Sequence, residues 1–388
     1  MSLKHFDVIV VGLGAFGSAV TLHCAKRGLK TLGIDRYSPP HHFGSSHGES
    51  RVTRLNAMEG DEYVGLVKRS HQLWRELEKD SGSKIMELVG GLVIESGAPT
   101  SAHGISDMMQ QVEAVAVKHG IAHELLGANE IRARYPQFNV PESARAYFEP
   151  SAGYIRPEVA ISAELEQAKK YGAELVFGKK VVEWTRDAPN SVCVKTEKET
   201  FGANRLVLTA GPWMSELVKA HLQSKLKVYR QVLYWFKPKT DLQNFSGEKL
   251  PIFVWLKGGT ELFYGFPIVE SGAQGVKLAT EEFIETTEPD LMNREVSAAE
   301  KHNFYKQYLQ DGMPGLSPEC IKASACMYTM APKSKFIIDF VPDFPEAIMI
   351  SACSGHGFKH SPAVGEAVAE LIATNHASID LSPFRLAT

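Results

Sequence analysis

The sequence predicts an α/β chain in which a nucleotide-binding domain is interleaved with an antiparallel-sheet substrate domain. Three observations carry that expectation. Residues 6–36, FDVIVVGLGAFGSAVTLHCAKRGLKTLGIDR, read as strand, glycine turn, helix and strand. The same βαβ character returns near Ser151 and again near Phe336. Between these stretches the chain carries short alternating runs of aromatic and β-branched residues, the pattern of strands with one covered face. The economical division is residues 1–83, 150–224 and 330–388 for the nucleotide domain and 84–149 and 225–329 for the substrate domain.

The first unit is the most informative. Val8 to Val11 is short, apolar and β-branched, which favours a buried parallel strand over a helix, and Gly12 closes it. Gly12, Gly14 and Gly17 then match G-x-G-x-x-G. One glycine serves the tight turn, one lets backbone approach a pyrophosphate, and one lets the helix pack closely on the strand. The helix from Ala15 to Arg27 presents unpaired N–H groups and the positive end of its dipole to that anion, and Gly28 stops it. Leu29 to Ile34 forms the second strand. Asp35 at its end is placed to accept hydrogen bonds from a ribose, which disfavours NADP; the motif leaves NAD and FAD both open.

The segment after Asp35, YSPPHHFGSSHGESRVTR, is too dense in Pro, Gly, Ser and His for regular structure. It is either a functional loop or a connector. Within it Arg51 and Arg54 stand three apart: on a helical turn they share a face and clamp an anion, otherwise they are solvated surface arginines. Residues 62–79 form an amphipathic helix with Tyr63, Leu66, Val67, Leu73, Trp74 and Leu77 on one side. Leu92 to Glu95 reads as a strand and Ile105 to His119 as a helix. Pro157 opens a helix that Gly172 ends, and Glu174 to Phe177, Ser191 to Thr196 and Arg205 to Thr209 are strands. LVLTAGPW, residues 206–213, runs into a second glycine turn that brings backbone near the cofactor again. VYRQVLYWF, PIFVWL, ELFYGFPI and GVKLAT build an antiparallel wall of a pocket. Phe336 to Phe340 and Ala347 to Cys353 are strands, SGHGFKHSP is a glycine loop, and Ser361 with Pro362 caps the closing helix.

Composition narrows the functional classes. A net charge of -3 over 388 residues gives no general attraction to nucleic acid or to an anionic membrane surface. The apolar runs fall well short of the roughly 20 residues that span a bilayer. The fingerprint lies so close to the start that no cleaved signal peptide is expected, which points to a soluble cytoplasmic protein. The five cysteines are odd in number and scattered, with no C-x-x-C, so neither a disulfide framework nor a zinc site is expected.

Beyond the fingerprint, PPHHFGSSHGESRVTR, YGFP, GVKL, ACMYT, SGHGFK and PFRL occur in order up to the end of the chain. Together they resemble the monomeric sarcosine oxidase and N-methyltryptophan oxidase family of FAD-dependent amine oxidases. The resemblance implies a glutathione-reductase-like FAD-binding domain beside an antiparallel substrate domain of roughly six or more strands. It implies oxidation of a secondary amino acid to an imine, with oxygen reduced to hydrogen peroxide, by a monomer. In ACMYT it makes Cys326 the covalent attachment of FAD through sulfur. A thiolate is the nucleophile towards the flavin methyl carbon, so cationic groups are expected beside it; by composition alone Cys326 is a core thiol.

Arg54 and Lys359 match the family's pair that holds the substrate carboxylate. Lys277 matches the lysine over the flavin where oxygen is activated, its positive charge stabilising forming superoxide. Arg51 and His47 match residues near the flavin ring, and Tyr264 and His356 match pocket-lining residues. Arg36, Ser50, Val181, Gly211, Gly355 and Lys359 join the glycines and Asp35 as expected cofactor contacts. Without the family, Lys277 reads as an edge-strand lysine, His356 as bonding its own turn, and Tyr264 as half-buried sheet packing.

Two positions depart from the family. Glu281 stands where a histidine lies within reach of the substrate amine. A carboxylate there attracts a cationic amine and raises the cost of deprotonating it, which selects a substrate with an added cationic or hydroxyl-rich group, unless Glu281 faces solvent. RLNAMEG replaces RHAYGEG, so Ala57 stands in place of a tyrosine and opens room for a larger side chain. The rival readings are an FAD-dependent dehydrogenase, a fructosyl-amino-acid-type oxidase, an NAD-dependent dehydrogenase and a non-catalytic flavin-binding protein.

Overall fold

The computed structural model describes residues 3–103, 105–270 and 272–386. The chain opens with β1 (Lys4–Val11), α1 (Ala15–Lys26) and β2 (Thr31–Ile34), then crosses a loop to β3 (Arg51–Thr53) and α2 (Val64–Ser81). A first β-rich insertion holds β4 (Met86–Glu87), β5 (Gly91–Glu95), α3 (Met108–His119), β6 (Glu124–Gly127), α4 (Ala128–Arg134) and β7 (Arg145–Glu149). The βαβ character resumes with β8 (Gly153–Ile155), α5 (Pro157–Lys170), β9 (Glu174–Val176), β10 (Val181–Ala188), β11 (Ser191–Thr196), β12 (Thr200–Leu208) and α6 (Ala220–Gln223). The second insertion runs through β13 (Lys227–Pro238), β14 (Ile252–Gly258), β15 (Glu261–Phe266), β16 (Val276–Thr280), α7 (Ala298–Phe304) and β17 (Leu316–Met330). The chain closes with β18 (Ile337–Val341), β19 (Phe344–Ser351) and α8 (Ser361–Thr374).

One eight-stranded sheet has the order β10-β11-β12-β1-β2-β9, with β19 on the second half of β12 and β18 beyond it. β1 pairs in parallel with both β12 and β2, and Val8, Ile9 and Val10 are fully buried, which explains their unbroken apolar run. α1 packs against both α5 and α8, and it is buried from Gly17 to Ala25. The β1–α1 turn depends on two glycines. Gly12 has φ of 89°, and a Cβ on Gly17 would lie 1.8 Å from the Gly12 carbonyl oxygen and 2.6 Å from Thr209 Oγ1. Gly14 differs: the nearest atom to a Cβ there is Ser46 Oγ, 3.8 Å away.

The other eight-stranded sheet has the order β17-β13-β16-β15-β14-β5-β7-β6. It is antiparallel except where β5, arriving from the first insertion, joins β14 in parallel. The expected antiparallel wall is therefore a mixed sheet. β16 lies between β13 and β15, with Lys277 paired to Trp235 and to Phe266. That interior place rules out the edge-lysine reading. A small sheet, β3-β8-β4, holds Arg51 opposite Ile155.

Some local expectations need correction. Arg51 and Arg54 do not share a helical turn, because pairing with β8 draws residues 51–53 into a strand. Ser361 is the first residue of α8 and caps nothing; His360 takes the N-cap position. α7 and the π turn after it, Tyr305–Leu309, add helix within residues 225–329, a stretch whose aromatic pattern reads as strand-rich. Their aromatic residues pack on the sheet face, so composition alone did not separate them from strands.

The glycine geometry gives a paired expectation. Gly17→Ala forces a Cβ into backbone and lowers the thermal midpoint markedly, since overpacking a tight site typically costs about 1–3 kcal/mol. Gly14→Ala leaves that midpoint nearly unchanged in flavin-free protein but weakens flavin retention. Differential scanning fluorimetry with flavin absorbance separates the two; equal stability losses would refute the assignment.

Candidate active site

A single continuous cavity reaches from the β1–α1 turn to the second sheet. Gly12, Gly14, Asp35, Arg36, Val181 and Gly211 line it from the first sheet's side, and Tyr264, Lys277 and Glu281 from the second. Ser50, Arg51, Arg54, Gly355, His356 and Lys359 complete its wall from connecting segments. Asp35 braces the glycine turn by accepting from the backbone N–H groups of Leu13 and Tyr37, each at 2.7 Å. Arg36 lies over the rings of Tyr37 and Trp213 and pairs with Asp290. Gly17 and His47 are not in the lining. Gly17 serves packing, and His47 is buried, with burial followed by Arg51 and Lys277 pushing its imidazole down to about 3.

Three charged residues from distant parts of the chain meet on this wall. Arg54 Nη2 donates to Glu59 Oε1 at 2.8 Å, and Lys359 Nζ donates to the same oxygen at 3.2 Å. All three are buried, and Glu59 Oε2 and Arg54 Nε have no hydrogen-bond partner. Burial alone would raise the Glu59 carboxyl, but Arg54 and Lys359 outweigh it and hold it well below the ordinary carboxylate range. Burial pulls Lys359 down to about 8 despite Glu59 beside it. Glu59 escaped the sequence reading, although the glutamate is shared between RLNAMEG and RHAYGEG.

A second cationic pair stands around Ser50. Lys277 Nζ donates to the Ser50 carbonyl at 2.6 Å and lies 4.6 Å from the Phe266 ring centroid. Burial, followed by repulsion from Arg51, drives the Lys277 ammonium well below its usual range. Arg51 donates to the carbonyls of Ser50 and Ser45 at 2.8 and 2.7 Å, and its Nη2 lies 3.8 Å from Cys326 Sγ. Cys326 is buried on β17 and is not itself in the cavity lining. Two positions along the same strand, Tyr328 does line it, with its hydroxyl 3.0 Å from that of Tyr264. Burial raises both phenols above their ordinary range.

Glu281 faces this cavity, not solvent. Its Oε2 lies 2.8 Å from His103 Nε2, and His103 is also in the lining. His103 comes from the loop between β5 and α3, where neither periodicity nor motif marked it. The His356 side chain does not bond its own turn: its Nε2 lies 3.1 Å from the carbonyl of Ser334, and its ring stacks on Phe336. Burial pushes it down to about 3, so it is neutral. Ala57 is buried in the core beside α2 and does not reach the cavity, whereas Met58 does. The expectation of room opened by Ala57 is therefore overturned.

A sheet with a parallel centre and a glycine turn, joined through one cavity to a second sheet bearing a buried lysine, defines a dinucleotide-dependent oxidoreductase. The chain matches the FAD dependent oxidoreductase family over residues 7–371 and belongs to it. That settles for FAD the choice the fingerprint left open. The sequence is 36% identical over 375 residues to a monomeric sarcosine oxidase of Streptomyces avermitilis, covering 95% of this chain and 94% of that one. It is 32% identical over 392 residues to an N-methyl-L-tryptophan oxidase of Yersinia pestis, covering 98% and 99%. The resemblance read from the motifs thus extends over nearly the whole chain. Among solved structures, NikD, an unusual amino acid oxidase of nikkomycin biosynthesis, superposes with a TM-score of 0.85 at 22% identity, covering 98% of this chain and 97% of its own. Among the described residues no helix is long and apolar enough to cross a membrane.

The residues present fit FAD. The open face of Gly14 admits a pyrophosphate against the N-terminus of α1. Ser45 Oγ and His47 Nε2 are buried without partners near Arg51 and Lys277.

Removing the shared carboxylate tests the three-residue cluster. Glu59→Gln leaves two buried cations facing each other, and breaking such a pair costs about 3–5 kcal/mol. Chemical denaturation should show that loss, and a simple carboxylate ligand should restore part of it. Because Glu59 is held below the usual value of 4.5, its stabilising contribution is complete above that pH and is lost as pH falls through the depressed folded-state value. Wild type and Glu59→Gln should therefore converge in stability in acid.

Proposed function

We propose that the protein oxidises the C–N bond of a secondary, N-alkyl amino acid to an imine, with oxygen as the electron acceptor and hydrogen peroxide as product. The observation that carries this reading is the convergence of Arg54 and Lys359 on one carboxylate oxygen inside the cavity. Two buried cations so placed suit a substrate carboxylate, which would take up the donors that Glu59 now occupies. Clamping that carboxylate fixes the substrate's C–N bond relative to the cofactor. Tyr264 and Tyr328 supply a polar wall beside it. Bound FAD would accept the electron pair and pass it to oxygen. Lys277, held by Ser50, would present its ammonium where negative charge builds on oxygen.

We further assign Cys326 as the covalent flavin anchor. The support is the Arg51 guanidinium 3.8 Å from its sulfur, a cationic neighbour of the kind that a nucleophilic thiol calls for. Residues 1–83, 150–224 and 330–388 would form the FAD-binding domain and 84–149 with 225–329 the substrate domain of a cytoplasmic monomer. Glu281 is not a free carboxylate, because His103 holds one of its oxygens. It is therefore a weak selector for a cationic side chain.

A peroxide assay over sarcosine, N-methyltryptophan, pipecolate and fructosyl amino acids tests the reaction. Turnover is expected with N-methyl amino acids, and no peroxide from any of them would refute it. Arg54→Met should lower kcat/KM by about 100-fold or more, since truncating a buried charge pair costs roughly 2–5 kcal/mol. After acid precipitation the wild-type pellet should be yellow and the Cys326→Ser pellet colourless; a colourless wild-type pellet would remove the covalent link.

A further inference from the structure

Two cavities meet at a wall that contains one histidine and one glutamate. The inner cavity contains Glu281 and the cluster of Arg54, Glu59 and Lys359, while a second is walled by Tyr63, Lys333 and Lys335. Only Glu59 and His103 belong to both walls. Lys333 and Lys335 are exposed, so the second cavity opens to solvent. His103 is itself buried, its side chain 5% exposed, with Nε2 at 2.8 Å from Glu281 Oε2. Its Nδ1 has no hydrogen-bond partner. The other carboxylate oxygen, Oε1, lies towards Gly355 in the cavity wall, and no described side chain donates to it.

We propose that Glu281 and His103 form a proton relay that removes the proton of the substrate ammonium and hands it to solvent through the second cavity. The inference rests on the amine oxidation proposed above and adds the route by which the amine becomes reactive. Glu281 Oε1 accepts a proton from the ammonium, leaving the neutral amine with a free lone pair. The carboxylic acid so formed turns its O–H towards His103 and gives that same proton to Nε2 of the neutral Nδ1–H tautomer, so the carboxylate is restored and the imidazole becomes imidazolium. That imidazolium exchanges its proton with solvent between turnovers. One N–H bond breaks on the substrate, one forms on His103, and no electrons are transferred in this step.

A lone carboxylate would hold the ammonium charged. An imidazole behind it gives the proton somewhere to go. His103 is faced by Glu281 from the end of β16, Glu59 from the loop before α2, His356 and Lys359 from the segment before α8, and Lys333 and Lys335 across the second cavity. Burial lowers its affinity for a proton, but Glu281 and Glu59 outweigh burial and Lys359, so the imidazole titrates above its ordinary value. The relay therefore works when His103 is neutral, and flavin reduction quickens as pH rises through that raised value. Glu281 is then a catalytic residue, and His103 acts through it.

The experiment mixes the holoenzyme anaerobically with a saturating N-methyl amino acid and follows loss of flavin absorbance between about pH 6 and 10. His103→Gln can still hydrogen-bond Glu281 but takes up no proton. It should lose the rising limb set by His103 and slow about 100-fold at neutral pH, the usual scale of a lost general base. Its rate should recover only as the substrate amine ionises by itself. Glu281→Gln should behave alike, and added imidazole should restore His103→Ala. A wild-type rate and pH profile in His103→Gln overturns the relay; should that variant lose its flavin, absence of imidazole rescue in His103→Ala overturns it. If the wild type is not reduced by any N-alkyl amino acid, the amine-oxidation reading fails and the relay with it.

Discussion

The structure depends on compensating several charges buried in one low-dielectric space. Arg51, Arg54, Lys277 and Lys359 all line the same cavity. An unpaired ion in such a place costs several kcal/mol even after relaxation. The fold answers with one carboxylate for two of them and with backbone carbonyls for the others. Glu59 serves Arg54 and Lys359, while the carbonyls of Ser50 and Ser45 serve Lys277 and Arg51. These partners all lie beside β3, whereas Lys277 comes from the interior strand β16 and Lys359 from the segment before α8. The cavity is balanced only once both sheets and their connections are in place.

That arrangement divides the cavity by charge. At one place Arg54 and Lys359 meet on one oxygen of Glu59, with Arg54 Nε and the other Glu59 oxygen unpartnered. At another, Arg51 sits beside a buried sulfur and Lys277 sits over aromatic rings on an interior strand. Glu281 and His103 add a hydrogen-bonded carboxylate and imidazole to the same wall. The FAD family membership places the redox chemistry on the cofactor, so what this chain adds is position, charge and exclusion of water.

Several readings failed for one shared reason. Lys277 in an alternating run has the pattern of an edge lysine, because alternation tells which face a residue takes and not whether another strand lies beyond it. Ala57 reads as pocket space because the residue it replaces is large; in the structure both it and Met58 pack in the core, and only Met58 also reaches the cavity wall. Arg51 and Arg54 were read through helical spacing, but β8 pulled the first into a strand. In each case a long-range pairing overrode a local pattern.

By itself the sequence determined the β1–α1–β2 unit, the three-part split of the chain and the residue types at the site. These follow from local physics: a glycine needed at a positive φ, a helix start that favours an anion, and runs whose period matches one element. Tertiary structure alone decided that Glu59 would be the shared partner of Arg54 and Lys359, that β16 would be an interior strand, and that His103 would reach Glu281 across 178 positions of chain. Such contacts depend on which surfaces are brought together when the two sheets close on one cavity, and no periodicity within a segment records that.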